Sequence, residues 1–436
     1  MNLYGIAEPN CIYAPDYFVG TRAGFPEIEG DVIEHIFRKH QACGVDSVIW
    51  DLGRSFLCYH TDHPMLTPMF SITVEEGLEN ELDQEGWQAD WFPYFQKQCP
   101  LRKGLDTAAE LGMTLWGRIS MNRNYGERNG CALASRFWKE NHAVMGEVGK
   151  DGTPDPSRLC YFFEEYRAER LAGITEAARI TGPRHGRRVE AVVLDFVRQP
   201  PMLLYHPAMC EAYQEENSQD PREICADDGE TFLQWCRWRA DILTAFLRQV
   251  RRSLIEIGEE AGQPIQLIPR ITDLGFNMNL IEGIDIERWC EEGLIDGIVT
   301  SPLNWVRGIW DHDLRPYSVL GRRFGIPVIA GVSLNQQTRF HGIEGSVSAA
   351  VLARRVLDYQ EQGAEGIALY QSESGLEFDG FDEFIPRLAE PAEVKALLSD
   401  DSFLSRWPIT HLNSAYGLDC HSWFNNFTID GASSPI

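Results

Sequence analysis

Acids, amides and arginines recur in this sequence directly after short apolar runs. Glu8 and Asn10 follow one, Asp51 and Arg54 the next, and Arg118 and Asn122 a third. Then come Asp195 and Arg198, Arg270 and Asp273, Ser301 and Asn304, Asn335 and Gln336, and Gln371 and Glu373. The stretch "RVEAVVLDFVRQPP" shows the pattern most clearly: a β-branched run ends in Asp195, then Arg198, then two prolines. A carboxylate at the end of a buried strand costs several kcal/mol unless it is paired or lies at a wet cleft. Asp195 therefore reads either as a structural ion pair with Arg198 or as a functional acid. Carboxylates opposed across a cleft, among arginines and amides, suit glycoside hydrolysis: one protonates the leaving oxygen and another attacks or activates water. Metal chemistry is the competitor, with His60, Asp62 and His63 in "CYHTDH" and Asp311, His312 and Asp313 in "WDHD". Neither places ligands four apart on a helix, so solvated loops are the expectation there and no metal is assigned. No G-x-S-x-G turn is present for a nucleophilic serine.

The elements that must hold these residues alternate. Strands are expected in "NLYGIAEPN", "VDSVIWDLGR", "MTLWGRISMN", "RVEAVVLDFVRQPP", "IQLIPRI", "IDGIVTSPLN", "IPVIAGVSLNQ" and "EGIALYQSES". Helices fall between them, many stopped by glycines such as Gly44, Gly293, Gly325 and Gly363. Eight such repeats predict a (β/α)8 TIM barrel spanning about residues 1–380. A doubly wound sheet is the alternative, but "GIAEPN" is no glycine-rich phosphate turn. Long inserts at about 56–98, 124–161 and 205–229 follow strands two, three and four, on the side where barrels build active sites. Residues 381–436 read as a C-terminal extension packed on the barrel. Tryptophans and tyrosines gather near the expected mouth: Trp50, Phe56, Tyr59, Trp87, Trp91, Trp116, Tyr125, Tyr205, Trp305 and Trp310. Flat rings can stack on sugars, although at least half are expected to be ordinary packing.

Composition narrows the partners. The chain has 436 residues, a hydrophobic fraction of 44% and a net charge of −26, which disfavours nucleic acid and anionic membranes. The eleven cysteines are scattered, without a C-x-x-C pair, and read as buried thiols. No leader or membrane-length apolar run is evident, so a cytoplasmic location is the expectation, with a secreted or periplasmic one if a signal has been removed. The sequence assigns no oligomeric state.

The segment "VEAVVLDFVRQPP" resembles the strand that ends in an aspartate, an arginine and a proline in the family-ten-like glycosylhydrolase barrels. "FLQWCRWRADILTAFLRQVRR" and "DIERWCEEGLIDGIVTSPLNW" resemble later segments of the same proteins, and the resemblance runs from about Leu3 to Glu373. Glu190 and Ala191 depart from the family's usual Asp-Gly, and "TSPLN" from a more usual Pro-x-x-Tyr stretch. The resemblance implies a glycosidase of poly- or oligosaccharides without a cofactor, with Asp195 as the leading catalytic carboxylate and Arg198 beside it. The complementary acid is not fixed by the motif. Its strand-end position makes Glu373 the first choice, with Asp273 and Asp51 behind it. Glu8, Asp51, Arg54, Arg118, Asn122, Arg198, Arg270, Asn304, Trp305, Asn335 and Trp116 are the expected substrate-binding residues. A carbohydrate-binding barrel without catalysis, and a metal-dependent sugar isomerase or aldolase, remain the alternatives.

Overall fold

The computed structural model describes residues 1–9, 30–69, 94–122, 134–197, 200–301, 313–334, 349–377 and 380–406. Strands β1 (Asn2–Ala7), β2 (Ser47–Gly53) and β3 (Thr114–Ser120) are followed by a small antiparallel pair, β4 (Gly146–Val148) and β5 (Pro154–Leu159). Then come β6 (Ala191–Asp195), β7 (Gln266–Ile271), β8 (Ile298–Thr300), β9 (Val328–Ser333) and β10 (Gly366–Tyr370). All but the β4–β5 pair close into an eight-stranded parallel barrel in the order β1-β10-β9-β8-β7-β6-β3-β2. The expected (β/α)8 barrel is therefore present, with its eight strands where the apolar runs lie. The β4–β5 hairpin and the helix Arg136–Met145 fill part of the insert after β3.

Period-two alternation sorts each strand into two faces. One parity builds a small apolar cluster of its own, including Tyr4, Ile6, Ile49, Trp116, Val193, Ile268, Val299, Ile329 and Ala368. These positions point into the barrel and fill it, as a closed sheet of this strand number requires. The other parity packs outward against the helices in the main core. Trp50, for example, meets Phe37 of helix α1 (Val32–Ala42) at a ring-centroid distance of 5.4 Å. Helix α1 is capped by Asp31, whose side chain accepts from the Ile33 and Glu34 amides, and it buries Ile33, Ile36, Phe37 and His40 at helical spacing.

Glycine stops are where the sequence places them. The helix Arg315–Phe324 ends on Gly325 at φ 67°, a left-handed conformation that favours a residue without Cβ. Among the described residues no helix is long and apolar enough to cross a membrane, and the eight described cysteines are free thiols.

Candidate active site

Continuing the inward parity toward the C-terminal ends of the strands turns apolar residues into charged or polar ones. Tyr4 and Ile6 lead to Glu8, Ile49 to Asp51, Trp116 to Arg118, Val193 to Asp195, Ile268 to Arg270, and Val299 to Ser301. In register, Asp51 pairs with Arg118, and Asp195 lies between Ser120 and Arg270. The mouth is thus lined by charge because the period-two pattern carries it there.

Arg118 is the hub. Its Nη2 donates to Glu8 Oε1 at 2.7 Å and to Asp51 Oδ1 at 2.9 Å, while its Nη1 donates to Asp195 Oδ2 at 2.8 Å. Arg270 Nη1 donates to the same Asp195 oxygen at 2.7 Å and its Nη2 to Ser301 Oγ at 2.7 Å. The Arg270 guanidinium also lies over the Tyr370 ring, 4.6 Å from its centroid. Arg54 reaches Glu8 and Asp51, each at 3.3 Å. Tyr370 donates its hydroxyl to Glu8 Oε1 at 3.2 Å. Each of these groups is at most 6% exposed, so the attractions act with little solvent screening. Burial works against the charge on Arg118, yet Asp51, Glu8 and Asp195 hold it more basic than an ordinary arginine. Burial, joined by Arg118, pulls Arg270 below its usual value despite Asp195.

Glu373 completes the group differently. It sits in the short helix Ser372–Gly375 after β10, and its Oε2 accepts from the backbone amide of Glu8 at 3.1 Å. The turn into it passes through Gln371 at φ 57°, a left-handed conformation costing a non-glycine residue about 1–2 kcal/mol. Burial first, and the negative charge of Glu8 second, push the Glu373 carboxyl up to about 8. Three carboxylates, Glu8, Asp51 and Asp195, face three guanidiniums, Arg54, Arg118 and Arg270. A protonated Glu373 adds no charge to that balance.

The sequence candidates separate accordingly. Glu8, Asp51, Arg54, Arg118, Asp195, Arg270 and Glu373 come together in this cluster. Asp273 is placed elsewhere: it lies one step off the inward parity and accepts from Tyr359 Oη at 2.8 Å, in the layer of the helix Ala349–Glu361. Trp116 packs on Tyr4 in the apolar floor, ring centroids 4.9 Å apart, two residues below Arg118. Asn122 donates to the Pro201 carbonyl at 3.2 Å. Arg198, Asn304, Trp305 and Asn335 lie outside the described residues, as do Asn10, Gln336, Trp87, Trp91, Tyr125 and Trp310. Of the remaining aromatics, Tyr59 donates to Gly173 O and Tyr205 packs on Trp235, which is core packing. His60 bonds the Phe95 carbonyl at 2.5 Å and His63 accepts from the Met65 amide. Among the described residues no group of three or more His, Cys, Asp or Glu side chains is arranged to hold a metal. Sequence reasoning missed Tyr370, although its place two residues beyond Ala368 puts it on the inward parity.

No family model matches the chain, and no curated protein matches it, so the family-ten-like resemblance gains no support at that level. Solved structures do share the fold. A beta-galactosidase from the psychrophilic Marinomonas ef1 superposes with a TM-score of 0.55 at 11% identity, over 91% of this chain and 60% of that one. The alpha-L-fucosidase isoenzyme 2 from Paenibacillus thiaminolyticus gives 0.51 at 12% identity, over 91% of this chain and 50% of that one. The catalytic domain of a beta-amylase from Paenibacillus polymyxa gives 0.50 at 12% identity, over 89% of this chain and 99% of that one. The chain spans 60% and 50% of the lengths of the first two. At these identities the likeness is one of barrel architecture.

Proposed function

We propose that this chain is a glycoside hydrolase of a poly- or oligosaccharide, with Glu373 as proton donor and Asp195 as the ionised carboxylate opposite it. The observation that carries the reading is a pair of acids in contrasting environments. Glu373 is pushed up to about 8 by burial and by Glu8, whereas Asp195 Oδ2 is held by Arg118 and Arg270. Contrasting surroundings of this kind suit one carboxyl to give a proton and the other to face positive charge. Position agrees: β10, which leads into Glu373, and β6, which ends in Asp195, stand diametrically opposite in the eight-strand order. A glycosidic bond lying between them meets an acid on one side and an anion on the other.

In the reaction, Glu373 gives its proton to the glycosidic oxygen as the bond to the anomeric carbon breaks. The leaving alcohol departs neutral, and positive charge grows on the sugar ring. Asp195 Oδ1, which accepts from the Val197 amide at 3.1 Å, either attacks that carbon or takes a proton from the attacking water. Arg118 and Arg270 fix its orientation without a metal ion being required. Glu8 and Asp51, held on Arg118, supply acceptors for sugar hydroxyls. The barrel architecture shared with a beta-galactosidase, an alpha-L-fucosidase and a beta-amylase supports the reaction class.

The test is a panel of aryl glycosides and polysaccharides run with wild type, Asp195→Asn and Glu373→Gln, each with and without chelator. Sugar release that survives the chelator and is lost in both folded variants is the expected result. Activity retained by both variants, or abolished by the chelator, overturns the assignment.

A further inference from the structure

Two histidines of α1 reach the segment that carries Glu373, one on each side of it. His40 Nε2 meets Ser372 Oγ at 2.7 Å, and His35 Nε2 meets Glu377 Oε1 at 2.8 Å. The His40 tautomer follows from its second contact. Nδ1 lies 2.7 Å from the Ile36 carbonyl, which can only accept, so Nδ1 carries the proton and Nε2 accepts from the Ser372 hydroxyl. The barrel wall makes room for this ring: a Cβ at Gly5 would lie 2.3 Å from His40 Cδ2 and Nε2 and 2.9 Å from Ser372 Oγ. On the far side Gly375 abuts Leu334, where a Cβ would come within 2.4 Å of the leucine Cβ. The segment Ser372–Glu377 is therefore wedged between β1, α1 and the end of β9, and it begins at the left-handed Gln371.

We propose that His40, acting through Ser372, is a positioning residue that seats Glu373 against the end of β1, with His35 and Glu377 tying down the other end of the same segment. This rests on the reading of Glu373 as the proton donor. Ser372 is buried; it sets the distance between the Glu373 carboxyl and its neighbours Glu8 and Arg118, charged groups that face it. The groups facing His40 are the Ser372 hydroxyl, the Ile36 carbonyl and, more distantly, Glu377. Burial pushes His40 down to about 4, so the imidazole is a neutral acceptor above that value. Without the seat, the acid moves toward solvent and away from Glu8, and its proton is held less tightly.

The experiment follows the Glu373 carboxyl directly, by 13C NMR of side-chain-labelled glutamate, with the resonance identified by its loss in Glu373→Gln. Ser372→Ala and His40→Gln are compared with wild type, and Ser372→Thr, which keeps the hydroxyl, is the rescue. The expected result is a midpoint that falls by about one pH unit or more in folded Ser372→Ala and returns in Ser372→Thr. On any glycoside that wild type cleaves, kcat falls while KM holds. An unchanged Glu373 midpoint in both folded Ser372→Ala and folded His40→Gln overturns the proposal. Because the titration needs no substrate, a chain that shifts as expected yet cleaves no glycoside refutes the glycosidase reading and leaves the seat standing.

Discussion

Two buried acid clusters in this barrel look alike in burial and differ in what surrounds them. Glu373 at the mouth is pushed up to about 8, by burial and then by Glu8. Glu282, beyond the end of β7, is pushed up to about 7, again by burial, with Asp273 adding to it. Glu282, however, is closed in by neutral donors: Thr272 Oγ1 lies 3.0 and 2.8 Å from its two oxygens, and Asn279 Nδ2 lies 3.3 Å from one. Tyr317 seals that group by donating to Asn279 Oδ1 at 2.6 Å. No arginine enters that set of bonds, whereas three guanidiniums enter the one at the mouth. A raised carboxyl marks burial in both places. Of these two, the one at the mouth stands opposite an arginine-held carboxylate, and the role proposed for Glu373 rests on that pairing, not on the shift.

The sharpest way to break this comparison is to replace each acid by its amide. Glu373→Gln should lower turnover by about 10²–10⁴-fold, the usual worth of a general acid, with the fold intact by circular dichroism. Glu282→Gln should leave kcat unchanged; equal losses in the two variants would erase the distinction. Next in size is the hub. Arg118→Met leaves Glu8, Asp51 and Asp195 buried without their shared cation and should cost about 3–5 kcal/mol in urea unfolding. Tyr317→Phe, in the neutral cluster, should cost only about 0.5–1.5 kcal/mol.

Acidity gives a third contrast. Above the ordinary glutamate value of 4.5 the unfolded chain releases its protons while folded Glu373 and Glu282 keep theirs, so stability falls with rising pH. The Glu282 contribution is spent by about pH 7 and that of Glu373 by about pH 8. Denaturant titrations should show the decline between pH 7 and 8 vanish in Glu373→Gln and persist in Glu282→Gln. His40 acts with the opposite sign: its folded value of about 4 lies below the ordinary 6.5, so stability is lost as pH falls between them. Gly5→Ala adds a methyl that must displace the His40 ring. It should destabilise by about 1–3 kcal/mol, measured by the same unfolding curves.

Much of this was legible in the residues themselves. Each barrel strand announces itself as an apolar run, and most of the acids and arginines of the mouth stand at the run's end, where period two turns them inward. The same rule places Asp273 apart from this cluster: it follows Arg270 by three, an odd step, and meets Tyr359. Trp116 lies on the inward parity but two residues too early, in the floor. His40 falls on the buried stripe of α1 with Ile33, Ile36 and Phe37, which signals a satisfied histidine without naming Ser372, a partner 332 residues away. Nor could spacing reveal that burial and Glu8 push the Glu373 carboxyl up to about 8 while Asp195 is held by two arginines, because that difference depends on which side chains meet when the barrel closes.

The account turns on Glu373 as a proton donor, and leaving-group dependence tests that role most directly. Wild type and Glu373→Gln would be compared on one sugar carrying either a poor aryl leaving group or 2,4-dinitrophenolate, which departs without protonation. The account predicts a large deficit for the variant on the poor leaving group that closes on the activated one. An equal deficit on both, or none on either, would contradict it.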